Sequence, residues 1–360
     1  MKRIIAFSFF LLAVSLACQT VQRAVAPATP TAEASPSPLP ELTPSATATA
    51  TLEPTPSPTV TRVAPTPIVC TDDSCLNACL KRVKEELSTQ PQNQIGGEYA
   101  ESDTRLNLVT YLVINGDGLS QPRILQVPAE YKPYQQDTSA HLRVWDFFTS
   151  LVPAEQRKWI VRYTIFTDGN SNALAWVRRE NSNNTRWEMG VDILDSTEPI
   201  DLTKTIIHET AHLVTLNPDQ IVQNKDFPNT PYQNKDACPQ LNTSEGCSTP
   251  DSYIYKFYQK FWMPIYEDWL ENVYKAKSKS EEDYDRAVGK FYSEYQNLFA
   301  QGYAATSIEE DMAVSFEYFI VNPMATGSSF SAKKMRFFYD YPELVALRQQ
   351  MIQGMCSYAQ

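Results

Sequence analysis

The chain has 360 residues, of which 42% are hydrophobic, and its formal net charge is −11. This length allows one large domain with extensions or two average domains. Its Lys and Arg residues are scattered, so the sequence lacks the basic face that binds nucleic acid, and we expect no nucleic-acid partner.

Residues 1–18 have the pattern of a bacterial lipoprotein signal. Lys2 and Arg3 give a positive start, and the apolar run that follows is too short to span a bilayer comfortably. A small residue precedes Cys18, as in the sequences where the Cys is acylated and becomes the mature N-terminus. Ser15 stands where Leu is usual, so an ordinary cleaved signal is the alternative. Lipidation would anchor an exported chain through Cys18 to the bacterial cell surface or an extracytoplasmic membrane face.

Residues 19–68 predict a disordered stalk that cannot form a core. They contain 11 of the 25 prolines and no Gly or aromatic residue. Such a segment stays extended, and at ~3.1 Å per residue it could reach on the order of 150 Å. We therefore expect it to hold a folded region, residues 69–360, away from the membrane.

The cysteines after Cys18 are even in number, which in an exported chain indicates three disulfides. They are Cys70, Cys75, Cys79, Cys238, Cys247 and Cys356. We predict that Cys238 pairs with Cys247 and that Cys356 pairs with one of the three early cysteines. A zinc–cysteine site is the alternative, but the chain has no CxxC pair.

Strand patterns come first in the folded region. Hydrophobic periodicity and turn signals predict a helix over 75–87, a helix over 140–151, and strands over 106–114, 123–127, 159–167 and 174–179. Trp187, Met189 and Val191 alternate with polar or small residues. This period of two favours a half-buried strand over 186–194 at the edge of a sheet.

Helical patterns dominate the rest of the chain. Asp201 is a candidate N-cap of an apolar helix that ends before Pro218. A polar loop over 217–251 precedes helical patterns at about 253–277, 281–300, 307–321 and 342–356. Strands followed by helices predict an α+β fold, with a mixed sheet followed by a mainly helical C-terminal half. Residues 69–180 would form an N-terminal α+β part, and residues 181–360 the part that contains these helices.

The apolar helix contains the sequence HETAH at residues 208–212. His208 and His212 are four residues apart, so their imidazoles share one face and can hold one metal ion. Glu209 is rotated by about 100° and can accept a proton from a water beside the metal. This is the HExxH arrangement of zinc metallopeptidases. The alternative is two surface histidines placed by chance, but the helix around them is apolar.

A catalytic zinc usually has three protein ligands. The pattern with a third histidine six residues after His212 has Pro218 at that position. The remaining histidine, His141, lies in a predicted helix upstream, where we interpret it as structural. We therefore expect a carboxylate ligand, the gluzincin arrangement, from the stretch 309–316 on a second apolar helix.

This stretch resembles the anthrax lethal-factor family of secreted zinc peptidases. In that family the third ligand opens a Glu-x-x-Ala-x-x-Phe sequence, and Glu310, Ala313 and Phe316 match it. The resemblance covers about residues 186–321 and implies a zincin-like fold.

The resemblance also implies the role of each site residue. His208, His212 and Glu310 would bind Zn²⁺, and Glu209 would act as the general base. A tyrosine seven residues before the third ligand hydrogen-bonds the oxyanion in the family, and Tyr303 occupies that position.

Some assignments stay open at this point. Glu309 and Glu317 are alternative third ligands, and Tyr303 could simply pack at a helix entry. Members of the family often carry a second acid one turn after the ligand, where this chain has Val314. Support for a zinc-bound histidine would then come from Glu317 or Asp311.

These features together predict a secreted, lipid-anchored zinc metallopeptidase that hydrolyses a peptide or protein substrate bound beside strand 186–194. One alternative is an inactive zincin-fold lipoprotein that acts as a binding or adhesion module, although Glu209 is retained. Another is a solute-binding lipoprotein, but two α/β lobes do not fit the helical C-terminal half.

Overall fold

The computed structural model describes residues 105–169, 173–180, 185–197, 199–222 and 238–358, together with Ser74, Asn77, Ala78 and Lys81, which are helical. The predicted signal over 1–18, the stalk over 19–68 and most of the helix over 75–87 lie outside the described residues.

A mixed β-sheet fills the N-terminal half of the described chain. Its strands are β1 (Leu106–Ile114), β2 (Gly118–Leu119), β3 (Arg123–Ile124), β4 (Ile160–Thr167), β5 (Ala175–Arg179) and β6 (Trp187–Asp192). The order is β2-β1-β4-β6-β5, and β3 also pairs with β1. β4 and β6 run parallel, and the other pairs are antiparallel. The predicted strands over 106–114, 159–167 and 174–179 are all present.

The predicted strand over 123–127 is shorter than expected. Only Arg123–Ile124 belongs to the ladder. The Leu125 amide still donates to the Leu108 carbonyl at 3.1 Å, and Gln135 Nε2 donates to the carbonyls of Leu108, at 2.8 Å, and Leu125, at 2.7 Å. The Gln135 amide thus binds both chains at the point where the short ladder ends.

The prediction of a half-buried edge strand over 186–194 is wrong. β6 lies between β4 and β5, and all six of its residues are buried. Its polar side is covered, because Glu188 accepts a hydrogen bond from Arg178 Nη2 at 2.9 Å and the Trp176 ring lies over Gly190. Among the described residues, β5 forms this outer edge of the sheet.

Helices dominate from residue 199 onward, as predicted. The α-helices of the described residues are α1 (Lys132–Gln136), α2 (Thr138–Leu151), α3 (Ala154–Arg157), α4 (Pro199–Thr215), α5 (Tyr253–Phe257), α6 (Tyr266–Asn272), α7 (Glu281–Glu294), α8 (Ile308–Val321), α9 (Phe330–Phe337) and α10 (Pro342–Tyr358). None of the described helices combines the length and the apolar character that crossing a membrane requires. The fold is thus α+β, with a mixed sheet followed by a mainly helical half.

Several helix bounds differ from the sequence prediction. The helix expected over 253–277 is broken into α5, a π-helical turn (Tyr258–Trp262), α6 and a 3₁₀ turn. Asp201 is not the N-cap, because α4 already begins at Pro199, whose fixed φ suits a first helical position. The helix α9 has no counterpart in the prediction. The loop over 217–251 contains three short paired strands: β7 (Ile221–Val222), β8 (Asn242–Thr243) and β9 (Gly246–Ser248).

A buried ion pair fixes α8 in the core. Asp311 is fully buried, and its Oδ2 accepts hydrogen bonds from Lys334 Nζ of α9 at 2.5 Å and from Trp262 Nε1 at 2.6 Å. Lys334 is 1% exposed and also donates to the carbonyl of Leu298 at 2.6 Å. One carboxylate thus joins α8 to α9 and to the π-helical turn.

Replacing Gly190 by Ala should destabilise the sheet. A Cβ at this position would lie 2.2 Å from Trp176 Cε2, so the ring or the strand must move. We expect a loss of about 1–3 kcal/mol in the free energy of unfolding, measured by urea titration. Gly289→Ala is the matched control, because a Cβ there meets nothing within 4 Å on α7 and should stabilise by about 0.5–1 kcal/mol. Equal effects of the two variants would contradict this packing.

Candidate metal centre

α4 carries both histidines of the HETAH sequence, and α8 packs across it. The imidazole rings of His208 and His212 have centroids 5.1 Å apart and are nearly perpendicular. Ser307 is the N-cap of α8, and its hydroxyl accepts a hydrogen bond from the Glu310 amide at 3.2 Å. This cap sets the first turn of α8 and thereby points the Glu310 side chain at α4.

The structure brings His208, His212 and Glu310 together, and we call these residues the His-His-Glu cluster. Glu310 Oε2 lies 2.9 Å from His208 Nε2 and 3.7 Å from His212 Nε2. One potential ligand atom from each residue lies within 4.8 Å of the other two. Two imidazole nitrogens and one carboxylate oxygen are the donor set of many catalytic zinc sites, so the residues fit a zinc ion.

The two rival ligands are placed differently. Glu309 Oε1 accepts a hydrogen bond from the Ser244 amide at 3.3 Å, and its charge helps to raise the pKa of His212 from outside the His-His-Glu cluster. Glu317 lies near enough to His208 for an electrostatic interaction, and burial raises the pKa of its carboxyl. Among the described residues, the ligand geometry includes Glu310 and neither rival.

The charges in the cluster compensate one another. Burial alone would raise the pKa of Glu310, but the charge of His212 and hydrogen bonds from both histidines outweigh it and lower the pKa. Burial likewise lowers the pKa of His212, but the carboxylates of Glu310 and Glu209 raise it to about 9. In the metal-free protein the positive charge of protonated His212 thus partly neutralises the Glu310 carboxylate, as a bound cation would.

Glu209 lies between the His-His-Glu cluster and the outer strand of the sheet. It is 7% exposed, and its Oε2 accepts a hydrogen bond from the Val177 amide of β5 at 2.7 Å. Burial raises the pKa of Glu209, while the two histidines and the Val177 amide partly oppose this shift. A carboxylate with a raised pKa is a stronger base, which suits proton transfer near neutral pH.

Tyr303 lies on the 3₁₀ turn that leads into α8. Its ring centroid is 5.8 Å from that of His208, and its hydroxyl hydrogen-bonds the Glu310 carboxylate. Burial, followed by the charges of Glu310 and Glu209, raises the pKa of Tyr303 well above its usual value. The hydroxyl therefore keeps its proton and can donate a hydrogen bond.

Support for the second histidine differs from the sequence expectation. His212 Nδ1 is buried without a hydrogen-bond partner among the described residues. Val314 is fully buried, and Asp311 pairs with Lys334 rather than with an imidazole. The expectation that Asp311 supports a ligand histidine is therefore wrong, because its side chain points into the core.

His141 has the structural role that we expected. It is fully buried, its Nδ1 lies 2.8 Å from the Tyr111 hydroxyl, and its Nε2 lies 2.8 Å from the Tyr134 carbonyl. It therefore joins α2 to β1 and to α1, away from the His-His-Glu cluster.

A disulfide links Cys247, in the hairpin formed by β8 and β9, to Cys238. Their Cα atoms lie 5.5 Å apart. Cys356 is also disulfide-bonded, and its partner lies outside the described residues. The hairpin made by β8 and β9 was not anticipated from the sequence, although the close spacing of the two cysteines indicated a stapled loop.

A second group of carboxylates lies at the ends of β4 and β6. It consists of Asp168, Asp192 and Asp195. The Asp192 carboxylate accepts hydrogen bonds from the amides of Asp168 and Leu194, each at 2.8 Å, and Arg105 adds a positive charge near Asp168. These contacts indicate that Asp192 stabilises the loops that follow β4 and β6.

Comparisons with protein-family models, curated proteins and solved structures found no match to this chain.

Zinc affinity should depend on Glu310 and not on its neighbour. Glu310→Gln removes the negative charge of a candidate ligand, so we expect zinc affinity to fall by more than ~100-fold, since even indirect ligand partners are worth about 10–100-fold. Glu309→Gln is the matched control, one residue away, and should leave affinity nearly unchanged. Competition with a chromophoric chelator measures both. A loss in the control and not in Glu310→Gln would show that the wrong carboxylate has been assigned.

The stabilisation that zinc provides should rise with pH. The folded-state pKa of His212, about 9, exceeds the usual value of ~6.5. In the metal-free protein the proton on His212 therefore stabilises the fold fully below pH ~6.5, and this contribution is lost as pH rises through about 9. Zinc must displace this proton. We expect the zinc-induced increase in Tm to grow over this range, and a constant or shrinking increase would contradict the assignment.

Proposed function

We propose that this chain is a zinc metallopeptidase of the gluzincin type, with a zincin-like fold, that hydrolyses peptide bonds. The observation that supports this most directly is the position of Glu209. Its buried carboxylate lies between the His-His-Glu cluster and the amide edge of β5. We therefore assign Glu209 as the general base, since it lies beside the metal donor set and beside the strand edge that we propose for the peptide.

The outer edge of β5 supports a peptide substrate. Val177 and the residues two positions before and after it, Ala175 and Arg179, have their backbone groups on the side away from β6, because these groups alternate along a strand. An extended peptide can pair with this edge as an added strand. The strand that we propose for substrate binding is therefore β5. The strand expected from the sequence, β6, lies inside the sheet.

The side chains divide the chemistry between them. When bound, zinc supplies Lewis acidity for the peptide carbonyl and the attacking water. Glu209 accepts a proton from that water, whose oxygen bonds to the carbonyl carbon. The C–N bond breaks, and Glu209 returns the proton to the leaving amine, which leaves a carboxylic acid and an amine as products. Tyr303, protonated and close to the cluster, donates a hydrogen bond to the oxyanion.

Turnover and zinc content, measured together, should distinguish the general base from the metal ligands. Glu209→Gln keeps the shape of the side chain but cannot take up a proton, so we expect zinc to remain bound and kcat to fall by roughly 10²–10⁴-fold. Tyr303→Phe should also lower kcat at unchanged zinc content. Glu155→Gln, an exposed carboxylate paired with Lys158, is the control. Activity is measured on an unstructured peptide library, and a zinc-loaded wild type that cleaves none of it would favour a binding module instead.

We also propose that the protein is exported and lipid-anchored through Cys18. The support is the sequence of the first 18 residues. Cys18→Ser should move the protein from the membrane fraction to the soluble fraction or the medium, because the acyl chains supply the membrane affinity. Fractionation followed by detection with an antibody tests this, and equal membrane retention of the variant would rule out the anchor.

A further inference from the structure

A disulfide-linked hairpin connects the two sides of the proposed cleft. This hairpin, residues 242–248, turns at Ser244 and Glu245. On one side, Arg179 at the end of β5 forms an ion pair with Glu245 and donates a hydrogen bond to the Ser244 carbonyl at 3.3 Å. On the other side, the Ser244 amide donates to Glu309 at the start of α8. The turn therefore bridges the substrate strand and the helix that carries the third ligand.

The hairpin is held rigidly in this position. The Cys238–Cys247 disulfide closes its base, and the Thr243 hydroxyl donates to the Gly246 carbonyl at 2.9 Å. Gly246 has a φ of 137°, and a Cβ there would lie 2.7 Å from the Val222 carbonyl oxygen. Such close backbone packing leaves little room for the turn to move aside for a long substrate.

The bridge lies a short distance from the reacting position along β5. The Val177 amide donates a hydrogen bond to Glu209, and Arg179 follows two residues later along β5. Two residues of extended strand span about 7 Å. A peptide on this edge therefore has room for about two residues between the general base and the hairpin.

The electrostatics at this end favour a cation. Arg179 neutralises Glu245 through their ion pair, both side chains being largely buried. Glu309 is half-exposed, and its hydrogen-bond partner among the described residues is the neutral Ser244 amide. Its negative charge attracts a terminal ammonium and repels a terminal carboxylate. In an antiparallel peptide on β5, the residues nearest Arg179 are also the N-terminal ones.

We infer that the hairpin 242–248 closes the N-terminal end of the substrate cleft, so that the enzyme removes about two residues from peptides with a free N-terminus, whose ammonium binds Glu309. This inference rests on the proposed function, because it specifies the substrate of the same site. Peptides cleaved in their interior would have to pass through the bridge between Arg179 and Glu309.

Product analysis tests the closed end. The full chain, loaded with zinc, is incubated with an unstructured peptide library that has free N-termini and with the same library after N-acetylation. We expect products shortened from the N-terminus by about two residues. Acetylation should lower the rate by ~10–100-fold, the usual value of a hydrogen bond to a charged group. Equal cleavage of acetylated peptides at interior bonds would overturn the inference while leaving the peptidase proposal intact.

Two variants tie the preference to named residues. Glu309→Gln should reduce the preference for a free N-terminus to a few-fold and leave zinc content unchanged, whereas Glu155→Gln should keep the preference. Arg179→Gln removes the ion pair to Glu245 and should allow longer N-terminal fragments. Because an amine could also coordinate zinc, a preference that survives Glu309→Gln in full would refute the role of Glu309.

A binding measurement separates failure of the inference from failure of the proposed activity. Zinc-loaded Glu209→Gln protein is titrated calorimetrically with trialanine amide and with its N-acetyl derivative. We expect the free amine to bind ~10–100-fold more tightly, and Glu309→Gln in the same background to remove most of the difference. Equal binding of the two probes overturns the closed end that binds an ammonium. A clear difference without any turnover by the wild type would uphold the closed end and reject the peptidase.

Discussion

The largely buried carboxylate of Glu310, which lies between two imidazoles, forms the interaction on which this site depends. A buried charge without a partner costs several kcal/mol, so Glu310 must meet a cation or a protonated imidazole when α8 packs on α4. His208 and His212 provide both possibilities, because they can share a proton or share a metal ion. The same contact therefore stabilises the metal-free fold and would prepare the donor set for the proposed zinc ion.

One turn of α8 links this contact to the rest of the molecule. Glu309, Glu310 and Asp311 follow one another at about 100° intervals around the helix, so they face three different surroundings. Glu309 meets the hairpin, Glu310 meets the imidazoles and Asp311 meets Lys334 in the core. Because Asp311 and Lys334 are almost completely buried, α8 has little freedom to shift, and the position of Glu310 is fixed by the packing of the whole helical half.

The sequence predicted the parts of this protein that local periodicity controls. The bounds of β1 and the existence of α4, α7, α8 and α10 follow from hydrophobic spacing, and the HETAH sequence placed two imidazoles on one face of a helix. The proximity of Glu310 to both imidazoles could be predicted only from the resemblance between short motifs, because a contact between residues 102 positions apart has no local sequence signal.

The predictions that failed depended on tertiary contacts. Alternation in β6 indicated a solvent-exposed face, but Arg178 and Trp176 from the neighbouring strand cover that face. The position of Asp311 next to the ligand suggested support for a histidine, yet its direction is set by Lys334, which is distant in sequence. The contact between Val177 and Glu209 is made by a backbone amide, which no residue pattern reveals.

The central claim is that His208, His212 and Glu310 hold a zinc ion, and X-ray absorption at the zinc edge tests it most directly. For protein loaded with one zinc ion, we expect two imidazole ligands and oxygen ligands at ~2.0–2.2 Å, without sulfur. Replacing His212 by Ala should remove one imidazole from the spectrum. Sulfur scattering at ~2.3 Å, or an imidazole signal that is unchanged in the His212→Ala protein, would place the metal elsewhere and contradict the account.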